Sequence, residues 1–182
     1  MNRGSATALA AALLCLGFGV SNLAVAQQDN FGSAAEAMSM LEKKFDAAVE
    51  QYHLAAREFV KGNPEPYKMV WSHRDDVTVG NPFGPFVRGW QQVAPTLERA
   101  ASLYRDGEFA GWERIAKYVT PELAYIVEVD RLKAKIGGSA EFTPVALRAT
   151  SVFRLEDNAW KLVHRHADPI TAPRPAESVI QK

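Results

Sequence analysis

Apolar side chains recur every three or four positions along the segment 33–61, from Met38 to Phe59. Charged residues, including Glu42 and Lys43, occupy positions between them. This spacing predicts an amphipathic helix with one buried stripe. The segment is therefore interpreted as a long helix that packs against the rest of the domain.

The next elements are shorter and are separated by turn-forming residues. Pro64 predicts the start of a second, short helix, and the run Asp76–Val79 predicts a strand. The segment 80–85 contains two glycines and two prolines, which predict an irregular loop. Apolar positions over Gly89–Tyr104 return to the helical period and predict a third helix, in which Pro95 marks a kink or the first turn.

After Gly107 the period changes to two, which is typical of strands. Four strands are predicted, near 109–118, 123–135, 143–155 and 160–167. Short connections between consecutive strands favour an antiparallel meander. Helices followed by strands predict an α+β domain in which a curved antiparallel sheet wraps around the long N-terminal helix. The proline-containing segment 169–182 is predicted to be an extended or disordered tail.

The N-terminal residues have the pattern of a secretory signal peptide. A single charge at Arg3 precedes the apolar run Ala6–Val20, and Ala24–Ala26 has the small-x-small pattern that signal peptidase accepts. The apolar run is shorter than the roughly 20 residues that span a membrane, so we do not expect it to be a transmembrane helix. We expect residues 1–26 to be removed as a signal peptide. Removing 26 residues from 182 leaves 156, the size of one domain. The expected location is periplasmic or secreted, with no membrane contact after cleavage.

The charge and the cysteine content argue against nucleic-acid binding and against disulfide bonds. Without Arg3 the chain has 20 basic and 21 acidic residues and no basic run. Nucleic-acid binding is not expected, since it depends on a concentrated positive surface. The single cysteine, Cys15, lies within the predicted signal peptide, so no disulfide is expected.

Two histidines on the last predicted strand are the first candidates for chemistry. Strict alternation puts His164 and His166 on one face of the strand and Arg165 on the other. Two imidazoles about 7 Å apart can act as acid and base, contact a ligand or bind a metal. The alternative is two partly buried histidines satisfied by neighbouring polar groups. No third ligand stands at a diagnostic spacing, so no metal or other cofactor is expected.

Other candidate pocket residues lie on or beside the predicted elements. Glu128 and Arg148 lie on central strands, where an unpaired charge is costly, so we expect them to pair with each other or to face a cavity. His73 faces either a ligand-binding cavity or solvent, and His53 is expected at the surface of the first helix. The remaining candidates are Trp71, Asn81, Arg88 and Trp90.

The segment Trp71–Gly84 resembles the second-helix-to-first-strand signature of ketosteroid-isomerase-like proteins. In that signature a paired acidic turn, here Asp75 and Asp76, leads through a short β-run to an acidic residue, a proline and a glycine. With the spacing from Phe153 to His166, the chain looks like the SnoaL-like branch of the nuclear transport factor 2-like superfamily. The resemblance covers about 33–168 and implies a cone-shaped fold with an internal pocket.

The resemblance to the isomerases does not extend to their catalytic mechanism. In the isomerases the acidic residue before the proline is the general base, and that position here is Asn81. A carboxamide cannot take up a proton near neutral pH.

We therefore expect a protein that binds a small, largely apolar organic ligand, with a catalytic role left open. The alternative is a non-catalytic interaction module that dimerises through the outer face of its sheet. A homodimer is expected.

Overall fold

The computed structural model describes residues 19–180. The elements are α1 (Gly19–Phe59), α2 (Glu65–Met69), β1 (Thr78–Gly80), β2 (Val87–Arg88), α3 (Trp90–Ser102), β3 (Tyr104–Val119), β4 (Leu123–Ile136), β5 (Thr143–Glu156), β6 (Ala159–Asp168) and a 3₁₀ helix (Ala176–Val179). Residues from Met40 onward form one compact unit, and residues up to Ser39 belong to another. Most of the predicted signal peptide lies outside the described residues, so its cleavage stays a prediction.

All six strands of the described chain belong to one sheet, in the order β2-β1-β6-β5-β4-β3. The last four pair antiparallel in sequence order, which confirms the predicted meander. β1 runs parallel to β6 and antiparallel to β2. The sheet is curled but does not close, because β2 and β3 are its edges. The α+β prediction is thereby confirmed.

The core lies between the predicted stripe of α1 and the inner face of the sheet. Phe45 on α1 contacts Phe153 and Trp160 edge to face, with each pair of ring centroids 5.3 Å apart. The same stripe contributes Tyr52, which is buried against Phe153. Such aromatic contacts add to the free energy gained by burying apolar area. Among the described residues, no helix has the length and hydropathy needed to span a membrane.

The backbone at the end of α1 packs directly against the backbone near the start of β3. Gly62 takes a φ of 98°, which ends the helical region in the left-handed conformation that glycine favours. The backbone nitrogen of Gly107 then donates to the carbonyl oxygen of Val60 at 3.0 Å. Strand β3 therefore passes directly beside the last turn of α1, where Val60 also borders the pocket described below.

Candidate ligand-binding site

A pocket opens on the inner face of the sheet, beside the end of α1, α3 and the loop between β1 and β2. Its cavity volume is about 50 Å³, which is room for one or two water molecules. The walls are mainly apolar and aromatic, and they include Phe59, Val79, Phe83, Leu97, Phe109 and Leu132. Asn81, Asp130 and Arg165 provide polar groups in this apolar surface.

A buried ion pair joins two neighbouring regions of the pocket wall. Nη2 of Arg165 donates to Oδ2 of Asp130 at 2.7 Å, and Nε of Arg165 donates to the Tyr52 hydroxyl at 2.9 Å. That hydroxyl also lies 3.2 Å from Oγ of Ser151. The guanidinium is thus held by contacts from β4 and α1, which leaves it little freedom to change its position.

Burial acts differently on the two members of this pair. It raises the pKa of the Asp130 carboxyl, and the charge of Arg165 opposes that shift only in part. Burial also acts against the charge of Arg165, but Tyr52, Tyr67 and Asp130 together hold its pKa above the ordinary value. Arg165 therefore remains a cation, while the surroundings of Asp130 favour protonation of its carboxyl group more than water does.

Two buried polar atoms of the pocket residues have no hydrogen-bond partner in the described part of the chain. They are Oδ1 of Asp130 and Nδ2 of Asn81. The side-chain oxygen of Asn81 accepts a hydrogen bond from the backbone nitrogen of Phe83 at 2.9 Å. This contact identifies which end of the carboxamide is the oxygen, so the unpaired atom is the amino group. One acceptor and one donor are therefore unsatisfied at the same pocket.

Two phenol groups complete the polar part of the pocket wall. Burial raises the pKa of Tyr104 to about 12. Burial, reinforced by Tyr52, raises the pKa of Tyr67 well above its ordinary value. Both phenols are consequently protonated at neutral pH, and a protonated phenol can donate a hydrogen bond.

A second buried charge cluster lies on the same face of β4 but does not line the pocket. His53 Nε2 lies 3.0 Å from Oε2 of Glu128, and Arg114 Nε donates to Oε1 of Glu128 at 2.7 Å. Burial acts to raise the pKa of Glu128, but the contacts with His53 and Arg114 lower it overall. The His53 ring stacks on Trp112, with centroids 4.1 Å apart. The expectation that His53 is a surface residue is therefore wrong.

Of the two alternatives expected for Glu128 and Arg148, the pairing with each other is wrong. The register of β4 and β5 puts Arg148 opposite Val129 and Glu128 opposite Ala149. Since successive side chains of a strand point to opposite faces, Glu128 and Arg148 lie on opposite faces of the sheet. Arg148 instead donates to both oxygens of Asp168, at 2.8 Å each.

A bulge in β6 overturns the alternation predicted for the last strand. Leu162 pairs with Phe153 and His164 pairs with Val152, so Val163 has no partner on β5. The extra residue shifts the alternation by one position. Arg165 consequently takes an inward position that strict alternation would assign to its neighbours, and His164 lies on the opposite face.

The two histidines lie on the outer face of the sheet. His164 Nδ1 is 2.7 Å from the Thr78 hydroxyl, and burial and the adjacent His166 lower the pKa of His164. The Phe86 ring lies over both imidazoles, with centroid distances of 6.2 Å to His164 and 5.1 Å to His166. Neither histidine lines the pocket around Arg165, so their contact with a ligand stays a prediction that this pocket does not support.

Among the other predicted site residues, Asn81 lines the pocket. Trp71 is buried in the main core, with 1% of its surface exposed. His73 and Trp90 stack on each other 3.9 Å apart, away from the pocket-lining set. Arg88 is exposed on β2. The sequence therefore identified one wall residue of the pocket and several residues of other surfaces and of the core.

Two central residues of the pocket, Asp130 and Arg165, were missed. A signal for Asp130 was present, because alternation along β4 puts it on the same face as Glu128. No comparable signal was available for Arg165, since its orientation depends on the unpaired Val163. The described residues contain no group of three or more histidine, cysteine, aspartate or glutamate side chains arranged to hold a metal ion.

Several solved structures share this fold. One is a candidate dehydratase of the nuclear transport factor 2-like family from Streptomyces avermitilis, with a TM-score of 0.61 and 19% sequence identity. The matched region covers 75% of this chain and 99% of the dehydratase chain. A nuclear transport factor 2-like superfamily protein from Salmonella enterica has a TM-score of 0.63 and 16% identity, covering 77% and 98%. A candidate calcium/calmodulin-dependent protein kinase type II association domain from Thiobacillus denitrificans has a TM-score of 0.55 and 21% identity, covering 69% and 94%.

These structural similarities establish the fold alone, because the identities are low. No protein of curated function matches the sequence. The SnoaL-like domain model, in contrast, matches residues 45–172, which include the end of α1, the whole sheet and the pocket. The family model thus covers most of the chain, and the protein belongs to the SnoaL-like family.

Proposed function

We propose that the protein binds a small, largely apolar organic molecule in this pocket, and that it does so outside the cytoplasm. The observation that carries the proposal is an apolar and aromatic wall in which Asn81 and Asp130 each leave a buried polar atom unpaired. Ligand sites typically combine such a wall with a few polar groups that orient the bound molecule. The signal-peptide pattern supports the export part of the proposal.

The size of the cavity limits what binds without a structural change. A volume of about 50 Å³ accepts only a group of a few heavy atoms. Phe83 fills part of the pocket and lies on the irregular segment between β1 and β2. The Phe83 ring contacts the Tyr104 ring edge to face, with the ring centroids 5.4 Å apart. A larger ligand therefore has to displace the ring of Phe83, which lies outside the regular strands and helices.

The Phe83→Ala variant is expected to bind a phenyl-sized molecule at least about tenfold more tightly than the wild type. Removing the ring leaves apolar space that a ligand ring can fill, and tenfold corresponds to about 1.4 kcal/mol. The measurement is a calorimetric or thermal-shift titration with benzyl alcohol.

Phe86→Ala is the matched control, because it removes the same ring from the outer face of the sheet beside His164. We expect it to leave benzyl alcohol binding unchanged. Equal affinities of wild type and Phe83→Ala, or an equal gain in Phe86→Ala, would contradict the proposed role of the pocket.

A catalytic role, if the ligand is also transformed, would rest on Asp130 rather than on Asn81. The carboxamide of Asn81 cannot accept a proton near neutral pH, whereas the carboxylate of Asp130 can. The similarity to a candidate dehydratase supports a reaction in a pocket of this fold. The proposal itself requires only binding.

Assembly is a second candidate function, and the outer face of the sheet supports it. The rings of Tyr118 and Tyr125 stack there at 5.8 Å, and both side chains are exposed. Phe86, also on this face, is 60% exposed. Exposed aromatic groups on one face are typical of protein interfaces, and one similar structure is named as an association domain. We propose that this face binds a second copy of the chain.

Tyr125→Asp is expected to convert such a dimer into a monomer, because it places a charge among apolar groups that would be desolvated. Sedimentation velocity over a range of protein concentrations measures the change. Met69→Asp is the control, since Met69 is 71% exposed on α2 and does not belong to the sheet. A wild-type protein that stays monomeric at high concentration would contradict the assembly proposal.

A further inference from the structure

We propose that the polar end of the ligand is an uncharged group that both donates and accepts a hydrogen bond, such as a hydroxyl or a primary amide. This inference rests on the proposed function and adds the chemical class of the ligand. It follows from the two unpaired atoms, because Nδ2 of Asn81 is a hydrogen-bond donor and Oδ1 of Asp130 is an acceptor. A ligand that satisfies both has to offer one acceptor and one donor.

The donor at Asn81 is fixed by its own backbone loop. The side-chain oxygen accepts from the backbone nitrogen of Phe83, which defines a tight turn between β1 and β2. With the oxygen committed, the amino group is the free end, and it is buried at the pocket. A buried donor without a partner is costly, so an acceptor on the ligand restores the lost hydrogen bond.

The acceptor at Asp130 is fixed by the ion pair with Arg165. Oδ2 receives the hydrogen bond from Nη2 of Arg165 at 2.7 Å, and Oδ1 has no partner among the described residues. Asp130 is only 2% exposed, so bulk water does not solvate this oxygen freely. A donor on the ligand is the group that would satisfy it.

Charge balance argues for a neutral ligand. The carboxylate of Asp130 and the guanidinium of Arg165 already compensate each other within one buried pair. A ligand carboxylate would face the unpaired oxygen of Asp130, and a ligand ammonium would add a positive charge near Arg165. Either would bring an uncompensated charge into an apolar pocket, which is unfavourable.

The test uses five probes with one ring skeleton: benzyl alcohol, benzyl methyl ether, toluene, benzoate and benzylamine. Dissociation constants are measured on the Phe83→Ala protein, which has room for the ring. Benzyl alcohol is expected to bind about tenfold to a hundredfold more tightly than toluene or the ether, since a toluene complex satisfies neither atom and the ether leaves Asp130 unpaired. Benzoate and benzylamine are expected to bind more weakly than benzyl alcohol.

Two further variants, made on the Phe83→Ala protein, separate the donor from the rest of the pocket. Asn81→Leu removes the donor, and it is expected to reduce the preference for benzyl alcohol over toluene while toluene affinity is kept or improved. Asn81→Asp keeps the oxygen that accepts from Phe83 and replaces the amino group by an acceptor, so it is expected to reduce the same preference. The second variant serves as the test if the first does not fold.

The possible outcomes distinguish this inference from the proposed function. If toluene or a charged probe binds as tightly as benzyl alcohol, the inferred ligand class is wrong and the binding function stands. If both Asn81 variants keep the full alcohol preference, the assignment of the donor is likewise wrong. If none of the five probes binds to Phe83→Ala or to the wild type, the proposed function and this inference are both overturned.

Discussion

Replacing Arg165 by methionine is expected to lower the free energy of unfolding by about 3–5 kcal/mol. The substitution removes the guanidinium but leaves the Asp130 carboxylate buried, with 2% of the residue exposed and both oxygens without a strong partner. It also removes the donor to the Tyr52 hydroxyl. Chemical denaturation monitored by tryptophan fluorescence measures the loss.

The matched control replaces both members of the pair, as Asp130→Leu with Arg165→Met. Because no isolated charge remains, the double variant is expected to be more stable than the Arg165→Met single variant. A double variant whose loss equals or exceeds the sum of the two single losses would show that the pair is not the unit of stabilisation.

The Arg165→Met loss is also expected to depend on pH. Burial raises the pKa of Asp130 in the folded protein, and removing Arg165 eliminates the largest opposing effect. A carboxyl whose folded pKa is raised binds more protons when folded, so its stability contribution falls as pH rises from the ordinary pKa through the raised one. The difference between Arg165→Met and wild type is therefore expected to shrink toward acidic pH. A pH-independent difference would argue against an uncompensated Asp130 charge.

Gly107→Ala is expected to lower the free energy of unfolding by about 1–3 kcal/mol or more. An added Cβ would overlap the carbonyl oxygen of Val60 and lie 2.6 Å from the Val60 Cβ. Both backbones are joined by the hydrogen bond from Gly107 to Val60, so neither can move away without losing it. Thermal or chemical denaturation provides the measurement.

Gly111→Ala is the control for this prediction, because it lies on the same strand and an added Cβ meets nothing within 4 Å. It is expected to be neutral or to stabilise the protein by up to about 1 kcal/mol through the unfolded state. An equal loss in the two variants would mean that glycine is needed for the conformation of β3 rather than for the approach to Val60.

Local periodicity was sufficient to predict most of the fold. The stripe of α1 and the alternation from β3 to β6 depend on the spacing of neighbouring residues, which the sequence displays directly. The parallel pairing of β1 with β6 was not predicted, because it joins Thr78 to His164 across a long separation in the chain. The two-residue β2 is too short to produce a periodic signal.

The candidate site was predicted less completely than the fold. Asn81 was found because the resemblance to ketosteroid-isomerase-like proteins placed it before a proline at the pocket, and the structure puts it in the pocket wall. Arg165 was not found, because a bulge depends on cross-strand register and not on the identity of the residue that is left unpaired. Pairing of buried charges, as between Glu128 and His53, depends in the same way on contacts between distant elements.

The bulge at Val163 has a consequence for how such pockets diverge. A relative that keeps the same number of residues but pairs this strand without the bulge would present the positions of His164 and His166 to the interior and turn the position of Arg165 outward. Deletion of Val163 alone would remove the extra residue and leave Arg165 facing the interior, so a change of strand register, and not the loss of this residue, exchanges the guanidinium for two imidazoles. Alignments that place a gap loosely within this strand would equate residues from opposite faces, and would transfer functional assignments to side chains that never meet the ligand.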